Sequence, residues 1–322
     1  MTRTGMAETR RRALIGAALQ EISARGSLDF DLPEARVLLD EDDPRRVRDV
    51  VKSRSLPEVK EAYRIVEDFM LAANEAVARF FKERELPTLW RVHAPPSEER
   101  LAEFAALAQS FGIPFTIEEG RSPRGMRDFL GRIVGKPMER SLSYLLLRAL
   151  KQAVYDVANV GHFGLAAPEY LHFTSPIRRY ADLAVHRIVK RYLHGERGLS
   201  VEDPAIETLS VHINARARAA ARAENDRRRM LTAAYMANHI GEVHDARVTS
   251  VRPFGLLAQL DGSLIEGSVP WDAIPGGPYE IDAGEAHARS ASRTFAIGGA
   301  LRVKVVATDP ALGRITLGLV EE

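Results

Sequence analysis

The sequence of 322 residues contains no cysteine. This absence excludes a disulfide framework, zinc ligation by thiolates and a cysteine nucleophile. Aromatic residues are few, at 7% of the chain, and no apolar run approaches the ~18–20 residues of a membrane-spanning helix. The basic start of the chain lacks the apolar stretch of a signal peptide. Together these absences predict a cytoplasmic protein that does not contact a membrane.

An excess of charge of one sign is also missing, because 45 Lys and Arg residues nearly balance 44 Asp and Glu residues. Acidic residues nevertheless concentrate in residues 33–43 and 98–103, whereas arginines concentrate in residues 177–191 and 216–229. A local basic surface matters more to a polyanion than the net charge does. The basic clusters are either nucleic-acid-binding surfaces or solvated helix faces, and charge alone does not separate the two.

Hydrophobic periodicity divides the chain into a largely helical part and a later β-rich part. Helices are predicted at residues 7–24, 57–84, 98–111, 126–134, 137–156, from residue 175 onwards, and at 203–236. Short strands are predicted at residues 28–30, 35–39 and 47–51.

The character of the sequence changes at Gly241, after which short β runs alternate with glycine-marked bends. These runs are residues 246–251, 255–260, 264–269, 301–308 and 314–319. Five such strands predict a five-stranded OB-fold β-barrel. The sequence therefore predicts an α+β fold, with a lead-in helix over residues 1–26, a largely helical domain over 27–240 and a barrel over 241–322.

Residues 161–183 carry the strongest chemical signal. Ser175 is a suitable N-cap and Pro176 fits the first helical position, so a helix is predicted to begin there. Arg178 and Arg179 then fall in the first turn, where the helix dipole disfavours cations by ~0.3–1 kcal/mol each. Two arginines at this end do little for stability, but with backbone N–H groups they would converge on a phosphate.

Asp182 lies four residues after Arg178, and this spacing predicts an ion pair that orients the arginine. The alternative is an exposed Arg–Asp pair on an ordinary helix. The physical argument by itself leaves the two interpretations open.

The Ser-Pro-Ile-Arg-Arg-Tyr block at residues 175–180 resembles the signature of the ribonuclease II/ribonuclease R (RNB) family of 3′-5′ exoribonucleases. Residues 64–74, 90–93 and 147–155 match the same family in the same order. The resemblance implies the C-terminal part of an RNB-type catalytic domain over residues 27–240, followed by an RNA-binding OB barrel. The implied activity is Mg²⁺-dependent hydrolysis of single-stranded RNA from its 3′ end to nucleoside 5′-monophosphates.

The resemblance also implies roles for individual residues. Arg178 corresponds to the family arginine that contacts the scissile phosphate and stabilises the charge developing in the transition state. Arg179 and Tyr180 are implied RNA contacts, with Arg179 on a neighbouring phosphate. Glu67 falls in the helix whose acidic residues contact the terminal nucleotide, where a bond to the 2′-hydroxyl would discriminate RNA from DNA.

The predicted helix that ends at residue 236 would join the two parts. Arg218 and Arg222 share a face and would line an RNA path with phosphate contacts. Glu224 matches a family position near the active site. The alternative is a solvated Ala/Arg helix, in which the pairs Arg222–Asp226 and Glu224–Arg228 contribute about 0.2–0.5 kcal/mol each.

The opening of the barrel is similar to an RNA-binding OB module, which stacks bases on aromatic side chains over a basic groove. Phe254 is the matching aromatic residue, and Arg252 is predicted to contact a phosphate. Leu256-Leu257 replaces a second aromatic residue and Pro270 replaces a histidine, which predicts a weaker stacking platform. The alternative places Phe254 in the barrel core.

The metal-binding motif of the family is missing from this sequence. Family members hold Mg²⁺ with four aspartates, spaced as Asp, five other residues, Asp, one other residue and Asp-Asp. No segment of the 322 residues has this spacing, and the acidic run at residues 40–43 matches a later, non-catalytic part of the family. No metal ligand is therefore assigned. Either the reading frame has been truncated, or the missing half is supplied by a partner, and exposed apolar surface would then favour association.

Three histidines near the signature, His162, His172 and His186, invite a metal interpretation. Their spacing gives no helical i,i+4 pair and no acidic residue lies beside them, so core or hydrogen-bonding roles are predicted. Ser175 has no His or Asp linked to it by the sequence, so a serine nucleophile is not predicted.

Three functions remain open at this point. The first is an exoribonuclease in which Arg178 is the electrophilic residue. The second is a non-catalytic RNA-binding protein that keeps the basic half of the channel and the barrel. The third is a half-enzyme that a separately encoded partner completes.

Overall fold

The structure of the chain is a computed structural model. It describes residues 27–28, 30, 32, 35–53, 57–136, 138–196, 204–282 and 285–320. The predicted lead-in helix over residues 1–26 lies outside the described residues. The described helices are α1 (Pro57–Glu83), α2 (Glu98–Ser110), α3 (Ile117–Gly120), α4 (Pro123–Ile133), α5 (Glu139–Ala149), α6 (Tyr180–Leu193) and α7 (Pro204–Met236). Short 3₁₀ turns lie at Phe163–Leu165, Ala237–His239 and Trp271–Ala273.

The described strands form four separate sheets. The strands are β1 (Ala35–Leu39), β2 (Val47–Lys52), β3 (Trp90–Val92), β4 (Val154–Asp156), β5 (Val243–Arg252), β6 (Gly255–Leu260), β7 (Glu266–Pro270), β8 (Glu280–Ile281), β9 (His287–Arg289), β10 (Thr294–Ala296), β11 (Ala300–Asp309) and β12 (Arg314–Leu319). Strands β1–β2 and β3–β4 are antiparallel pairs, and β10-β9-β8 is a three-stranded sheet.

The C-terminal strands close a barrel in the order β11-β12-β7-β6-β5, which confirms the predicted five-stranded barrel. Alternate residues of these strands point inward, so Val248, Leu256, Val303 and Val305 are almost completely buried. The sequence did not predict the small β8–β10 sheet, because its strands of two or three residues are too short to show a period.

The barrel packs against the helical part of the chain. Val50 of β2, with Ala233 and Met236 of α7, belongs to the same apolar cluster as the barrel interior. Tyr235 Oη donates to Asp49 Oδ1 at 3.1 Å and so ties the end of α7 to the β1–β2 hairpin. These contacts attach the barrel directly to the long helix that leads into it.

Helix α1 buries only its second half. Its residues 58–67 are all exposed, whereas Ala78 and Phe81 are fully buried in a cluster with Trp90 and Leu171. The first half of the helix therefore offers its side chains to solvent or to a ligand.

Two helix boundaries differ from the prediction. Helix α4 begins earlier, since Ser122 accepts a hydrogen bond from the Gly125 N–H at 3.0 Å and Pro123 takes the first helical position. The helix predicted over residues 137–156 ends at Ala149, because Leu150 turns to an extended conformation that leads into β4.

Residues 28 and 30 are described outside any strand, so the strand predicted there is wrong. The strands predicted at residues 35–39 and 47–51 are confirmed as β1 and β2. No helix in the described ranges is both long enough and apolar enough to span a membrane.

Candidate nucleic-acid interface

The signature segment lies beside the small sheet of β3 and β4. Strand β4 pairs with one edge of β3, and the signature segment bonds to the opposite edge. There the Arg91 N–H donates to the Tyr170 carbonyl at 2.9 Å and the His93 N–H donates to the Gly161 carbonyl at 3.0 Å. Leu171 forms an antiparallel bridge with β3 as well. Backbone bonds to a largely buried strand therefore fix the segment that leads into the arginines.

Asn74 on α1 holds the same segment with a buried amide. Its Nδ2 donates to Tyr170 Oη at 2.9 Å, and its Oδ1 accepts from the N–H groups of Phe173 and Thr174 at 2.9 and 3.3 Å. On α6, His186 Nε2 lies 2.9 Å from the Phe173 carbonyl, and the two rings stack at 4.1 Å. Side chains from two helices thus orient the chain just before the arginines.

The two arginines of the signature lie in a turn that precedes helix α6. The N–H groups of Arg178 and Arg179 donate to the Ser175 carbonyl at 3.3 and 3.0 Å, and the helix begins only at Tyr180. The predicted helix start at Ser175 is wrong, because Asp182 Oδ2 accepts from the Ser175 N–H at 2.7 Å and closes the turn. Arg179 is the N-cap residue instead. We call residues 175–179 the arginine turn.

Asp182 determines which arginine remains available. Its side chain is 0% exposed, and its Oδ2 also accepts from Arg179 Nη2 at 2.8 Å. The predicted ion pair between Asp182 and Arg178 is therefore wrong. Arg178 is exposed, and it makes no ion pair with a carboxylate in the described part of the chain. The Arg179 Nε is buried and has no hydrogen-bond partner among the described residues.

Tyr155, His172 and Arg91 form a polar group beside the arginine turn. Tyr155 Oη and His172 Nδ1 lie 2.8 Å apart, and the Arg91 guanidinium lies 4.8 Å from the centroid of the Tyr155 ring. Burial, assisted by the positive charges of Arg179 and Arg91, lowers the pKa of His172 to about 3. Burial also raises the pKa of the Tyr155 hydroxyl, against the opposing effect of the same arginines. Both side chains are therefore neutral at pH 7.

Helix α7 is anchored to this group by Asn214. Its Oδ1 accepts from the Tyr155 N–H at 2.9 Å, and its Nδ2 donates to the Tyr155 carbonyl at 2.7 Å. Arg218 and Arg222 follow at intervals of four residues, roughly 6 and 12 Å further along the helix axis. Every residue of α7 from 216 to 230 is exposed, so this row of arginines is accessible.

The two ion pairs considered for α7 do not form between these described residues. Arg228 donates to Asn225 Oδ1 at 2.9 Å, and Arg222 Nε donates to the Arg218 carbonyl at 3.4 Å. Glu224 is exposed and makes no ion pair with a described cation. Its carboxylate is therefore not used to stabilise the helix.

Two further predicted RNA contacts, Tyr180 and Glu67, lie at different distances from the arginine turn. Tyr180 is 51% exposed at the start of α6, and Arg187 Nη1 donates to its Oη at 3.2 Å. Glu67 is exposed on α1, two helical turns before Asn74 on the same face, or roughly 10 Å along the axis. Tyr180 is therefore adjacent to the arginine turn, whereas Glu67 lies further along the surface.

The barrel presents its predicted residues in a different way. Phe254, in the β5–β6 turn, is 59% exposed and so lies outside the barrel core. Arg252 donates to Glu285, and this ion pair already balances the charge that was predicted to contact phosphate. Trp271 Nε1 donates to the Arg252 carbonyl at 2.9 Å, and its ring stacks on Tyr279 at 4.9 Å. Phe254 remains available for stacking, whereas the pairing of Arg252 with Glu285 disfavours the predicted phosphate contact of Arg252, which no observation tests.

Known proteins are similar to this chain in sequence and in fold. The RNB domain, as a family model, matches residues 8–195, which is more than half of the chain. The chain belongs to the RNB family. Ribonuclease R of Aquifex aeolicus (strain VF5) is 36% identical over 303 residues, which cover 92% of this chain and 42% of that protein. The chain spans about two fifths of the length of the curated relatives it matches.

Solved structures share the fold of this RNB chain. Mycoplasma genitalium RNase R in complex with ribose-methylated single-stranded RNA matches with a TM-score of 0.85 at 23% identity, over 96% of this chain and 48% of that chain. Yeast Ssd1, a pseudonuclease, matches with a TM-score of 0.58 at 24% identity, over 70% of this chain and 29% of that chain. At these identities the likeness establishes the fold, and it confirms the predicted α+β class.

The described residues do not fit the magnesium site that membership of the RNB family implies. Within the described ranges, no group of three His, Asp or Glu side chains could hold a metal ion. Asp182 Oδ2 is occupied by Arg179 and the arginine turn, while its buried Oδ1 has no partner among the described residues and belongs to no such group of three. In the acidic run that follows β1, Asp40 Oδ1 accepts from the N–H groups of Asp42 and Asp43, so this run stabilises its own hairpin loop.

Sequence reasoning missed four residues of this RNB site: Asn74, Arg91, Tyr155 and Asn214. A usable sequence signal for Arg91 was its position between two apolar residues, Trp90 and Val92, which form β3 with it. Tyr155 and Asn214 gave no local signal, because the hydrogen bonds that join them connect residues 59 positions apart.

Proposed function

We propose that this chain supplies the RNA-binding and phosphate-contacting part of a ribonuclease R-like 3′-5′ exoribonuclease. Its substrate is single-stranded RNA, which the complete active site hydrolyses to nucleoside 5′-monophosphates in the cytoplasm. The arginine turn carries the proposal. Asp182 holds Arg179 and the turn backbone, while Arg178 stays exposed without a carboxylate partner among the described residues.

In this proposal Arg178 donates its N–H groups to oxygens of the scissile phosphate. A guanidinium with no internal counter-ion keeps its full charge for the ligand, and charge-assisted bonds strengthen as negative charge develops in the transition state. The bond from Ser175 to Asp182 holds the turn before RNA arrives, so little ordering is needed on binding. Arg179, whose side chain is 21% exposed, contacts a neighbouring phosphate.

The other predicted residues line the path of the strand. Tyr180 offers a ring beside the arginine turn, and Arg218 and Arg222 continue the positive charge along α7. Glu67 accepts from the 2′-hydroxyl of the terminal nucleotide, and Phe254 stacks on a base at the barrel. Glu224 lies on the exposed stretch of α7 and approaches the same active site.

Mg²⁺, when bound in an RNB enzyme, activates a water molecule and offsets charge on the leaving group. The donor set that it requires is missing from the described residues, and the aspartate spacing is missing from the whole sequence. No catalytic step is therefore assigned to a carboxylate of this chain.

A second candidate is a half-enzyme, in which a separate segment supplies the aspartates. Exposed apolar residues on the first half of α1 favour it, because Ile65, Val66 and Phe69 are each about half exposed. Exposed apolar faces of this kind mark association surfaces. Self-association would cover the same face.

The test uses 5′-labelled single-stranded RNA with the purified chain, in Mg²⁺ or in EDTA. Binding is measured by fluorescence anisotropy and degradation on a denaturing gel. We expect binding in both buffers, intact RNA in both, and about tenfold weaker binding by Arg178→Ala than by the wild type. Arg124→Ala is the matched control, because Arg124 is an exposed arginine on α4.

A chain that does not bind RNA, or an Arg178→Ala variant that binds like Arg124→Ala, would contradict the proposal. A Mg²⁺-dependent ladder of products, lost in Arg178→Ala, would show that the chain holds its own metal. Mixing the chain with the aspartate-bearing half of a ribonuclease R tests the second candidate, which predicts that degradation then appears.

A further inference from the structure

Arg91 is a partly buried cation without a counter-ion among the described residues. It lies on β3 between Trp90 and Val92, which are both buried. Burial is also the main effect that lowers the pKa of its guanidinium. Its guanidinium packs over the Tyr155 ring and makes no ion pair with a carboxylate in the described ranges. A desolvated charge that no acid compensates is costly, and a bound anion removes that cost.

The Tyr155–His172 pair beside Arg91 keeps one unused hydrogen-bond donor in either arrangement of its protons. A neutral histidine and a tyrosine carry one polar hydrogen each, and the bond of 2.8 Å between Tyr155 Oη and His172 Nδ1 uses one of them. If the tyrosine donates, His172 Nε2 carries the second hydrogen. If Nδ1 donates, the tyrosine hydroxyl carries it. No acceptor for this second hydrogen is found among the described residues.

The charges around this donor are positive. Arg91, Arg179 and Arg178 all act electrostatically on both His172 and Tyr155. Two carboxylates are buried in the same region. Asp182 Oδ2 is occupied by Arg179 and the Ser175 N–H, and Glu75 acts electrostatically on Tyr170, as Arg91 and Arg179 do. Three guanidinium groups against these two carboxylates leave a region of net positive charge that favours an anion.

We propose that Arg91, together with the donor of the Tyr155–His172 pair, binds a second phosphodiester of the RNA strand, next to the phosphate bound at Arg178. This inference rests on the proposed function, since it assumes that RNA enters at the arginine turn. The neutral pair adds a hydrogen bond without adding charge, and Arg91 supplies the charge. The two phosphates together fix the position of the strand relative to the arginine turn.

The test is the salt dependence of RNA binding by the full chain, in EDTA, with a fluorescein-labelled single-stranded oligonucleotide of RNA. The slope of log affinity against log salt is negative, and loss of one phosphate contact makes it less steep by about 0.7 for a single strand. We expect Arg91→Gln to bind about tenfold more weakly and to show this reduced slope. Arg91→Lys keeps the positive charge but loses the planar guanidinium that can donate two hydrogen bonds to one phosphate. We therefore expect weaker RNA binding with the same salt-dependence slope as the wild type.

Arg124→Gln is the matched control, and Arg178→Gln tests the proposed function in parallel. If Arg178→Gln reduces the slope while Arg91→Gln behaves like Arg124→Gln, the second phosphate site is wrong and the proposed function stands. An Arg91→Gln variant that loses affinity at an unchanged slope also overturns the site, because the contact is then not with phosphate. If the wild-type chain does not bind RNA, both proposals fail.

Arg91→Gln is checked for folding by circular dichroism before binding is measured. If it does not fold, Arg91→Lys decides the question. If folded Arg91→Lys binds RNA more weakly than the wild type, the site is supported. If it binds RNA as tightly as the wild type, the site is overturned.

Discussion

The arginine turn and the β5–β6 turn of the barrel each place an arginine close to an exposed aromatic ring. Arg178 is followed by Tyr180, and Arg252 is followed by Phe254, with the same spacing of two residues. In the barrel, Glu285 pairs with the arginine. At the signature, the available carboxylate takes the neighbouring arginine and leaves Arg178 exposed. The same local sequence pattern therefore leaves an arginine without a carboxylate partner only where arginines outnumber the acids that can reach them.

The two regions are also stabilised by different forces. The barrel interior is apolar, with Val303, Val305 and Leu256 at its centre. The arginine turn depends on two buried polar side chains, Asn74 and Asp182, that satisfy backbone N–H groups. A buried polar network is strong when complete and costly when one member is removed. The turn should therefore be far more sensitive to single polar substitutions than the barrel.

The largest expected effect comes from Asp182→Ala. It leaves the Ser175 N–H and the partly buried Arg179 guanidinium without their acceptor. We expect the free energy of unfolding to fall by about 3 kcal/mol, because one partner of a buried ion pair is lost. Urea denaturation followed by circular dichroism measures this change.

Asp128→Ala, at an exposed position on α4, is the control and should change stability by less than about 0.5 kcal/mol. Equal stability of the two variants would show that Asp182 does not hold the turn.

Acidification should loosen the signature region before the barrel. Burial lowers the pKa of His162 and His172 to about 3 in the folded chain, against about 6.5 in an unfolded chain. Below pH 6.5 the unfolded chain therefore binds more protons. The stability that these neutral rings provide is complete above pH 6.5, and it falls by up to about 1.4 kcal/mol per pH unit for each histidine as the pH drops toward 3.

The chain contains two tryptophans, one in each region, and they can report on this difference. With Trp271→Phe, the remaining Trp90 reports on β3 and the signature. With Trp90→Phe, Trp271 reports on the barrel. We expect the emission of Trp90 to change at a higher pH than that of Trp271. A single transition at one pH in both variants would contradict the separation of the two regions.

Phe254→Ala should affect RNA binding more than stability. The ring is exposed, so its removal should change the free energy of unfolding by less than about 0.5 kcal/mol. Loss of one stacked base should weaken RNA binding by about 1 kcal/mol, or about fivefold, without changing the salt slope. Tyr144→Ala, another exposed aromatic residue, is the control. If the two variants bind RNA equally, the barrel turn does not stack on a base.

The smallest expected effect is that of Arg252→Gln on stability. Arg252 and Glu285 are both partly exposed, and such pairs contribute about 0.5 kcal/mol. Denaturation of Arg252→Gln and Glu285→Gln should therefore give small and similar losses. A loss of several kcal/mol in either variant would show that the barrel turn, like the arginine turn, depends on one polar contact.

The sequence was sufficient to predict the elements whose apolar residues repeat over many positions. It was not sufficient for the elements whose conformation depends on a partner far away in the chain. Helix α1 and the five barrel strands were predicted because their apolar residues repeat over many positions. The start of α6 was predicted four residues too early, because Ser175-Pro176 is a good local cap and Asp182 overrides it through the folded turn. The local sequence indicates the possible positions at which a helix can begin, and tertiary hydrogen bonds determine which of them is used.

For the site, the sequence identified Arg178 and Arg179 through a family resemblance and not through their geometry. It assigned Asp182 to Arg178, since a spacing of four residues favours a pair on a helix. The turn changes that geometry and brings Arg179 to Asp182 instead. Arg91 and the Tyr155–His172 pair required the structure, because residues far apart in the chain create their environment.

We expect Arg178, which has no carboxylate partner among the described residues, to contact an RNA phosphate, and we expect Arg252, which pairs with Glu285, not to do so. The direct measurement is the salt dependence of single-stranded RNA affinity for the wild type, Arg178→Gln and Arg252→Gln, in EDTA. We predict that the slope of log affinity against log salt decreases by about 0.7 in Arg178→Gln and stays unchanged in Arg252→Gln. Equal slopes in the two variants, or a decrease in Arg252→Gln alone, would contradict the claim.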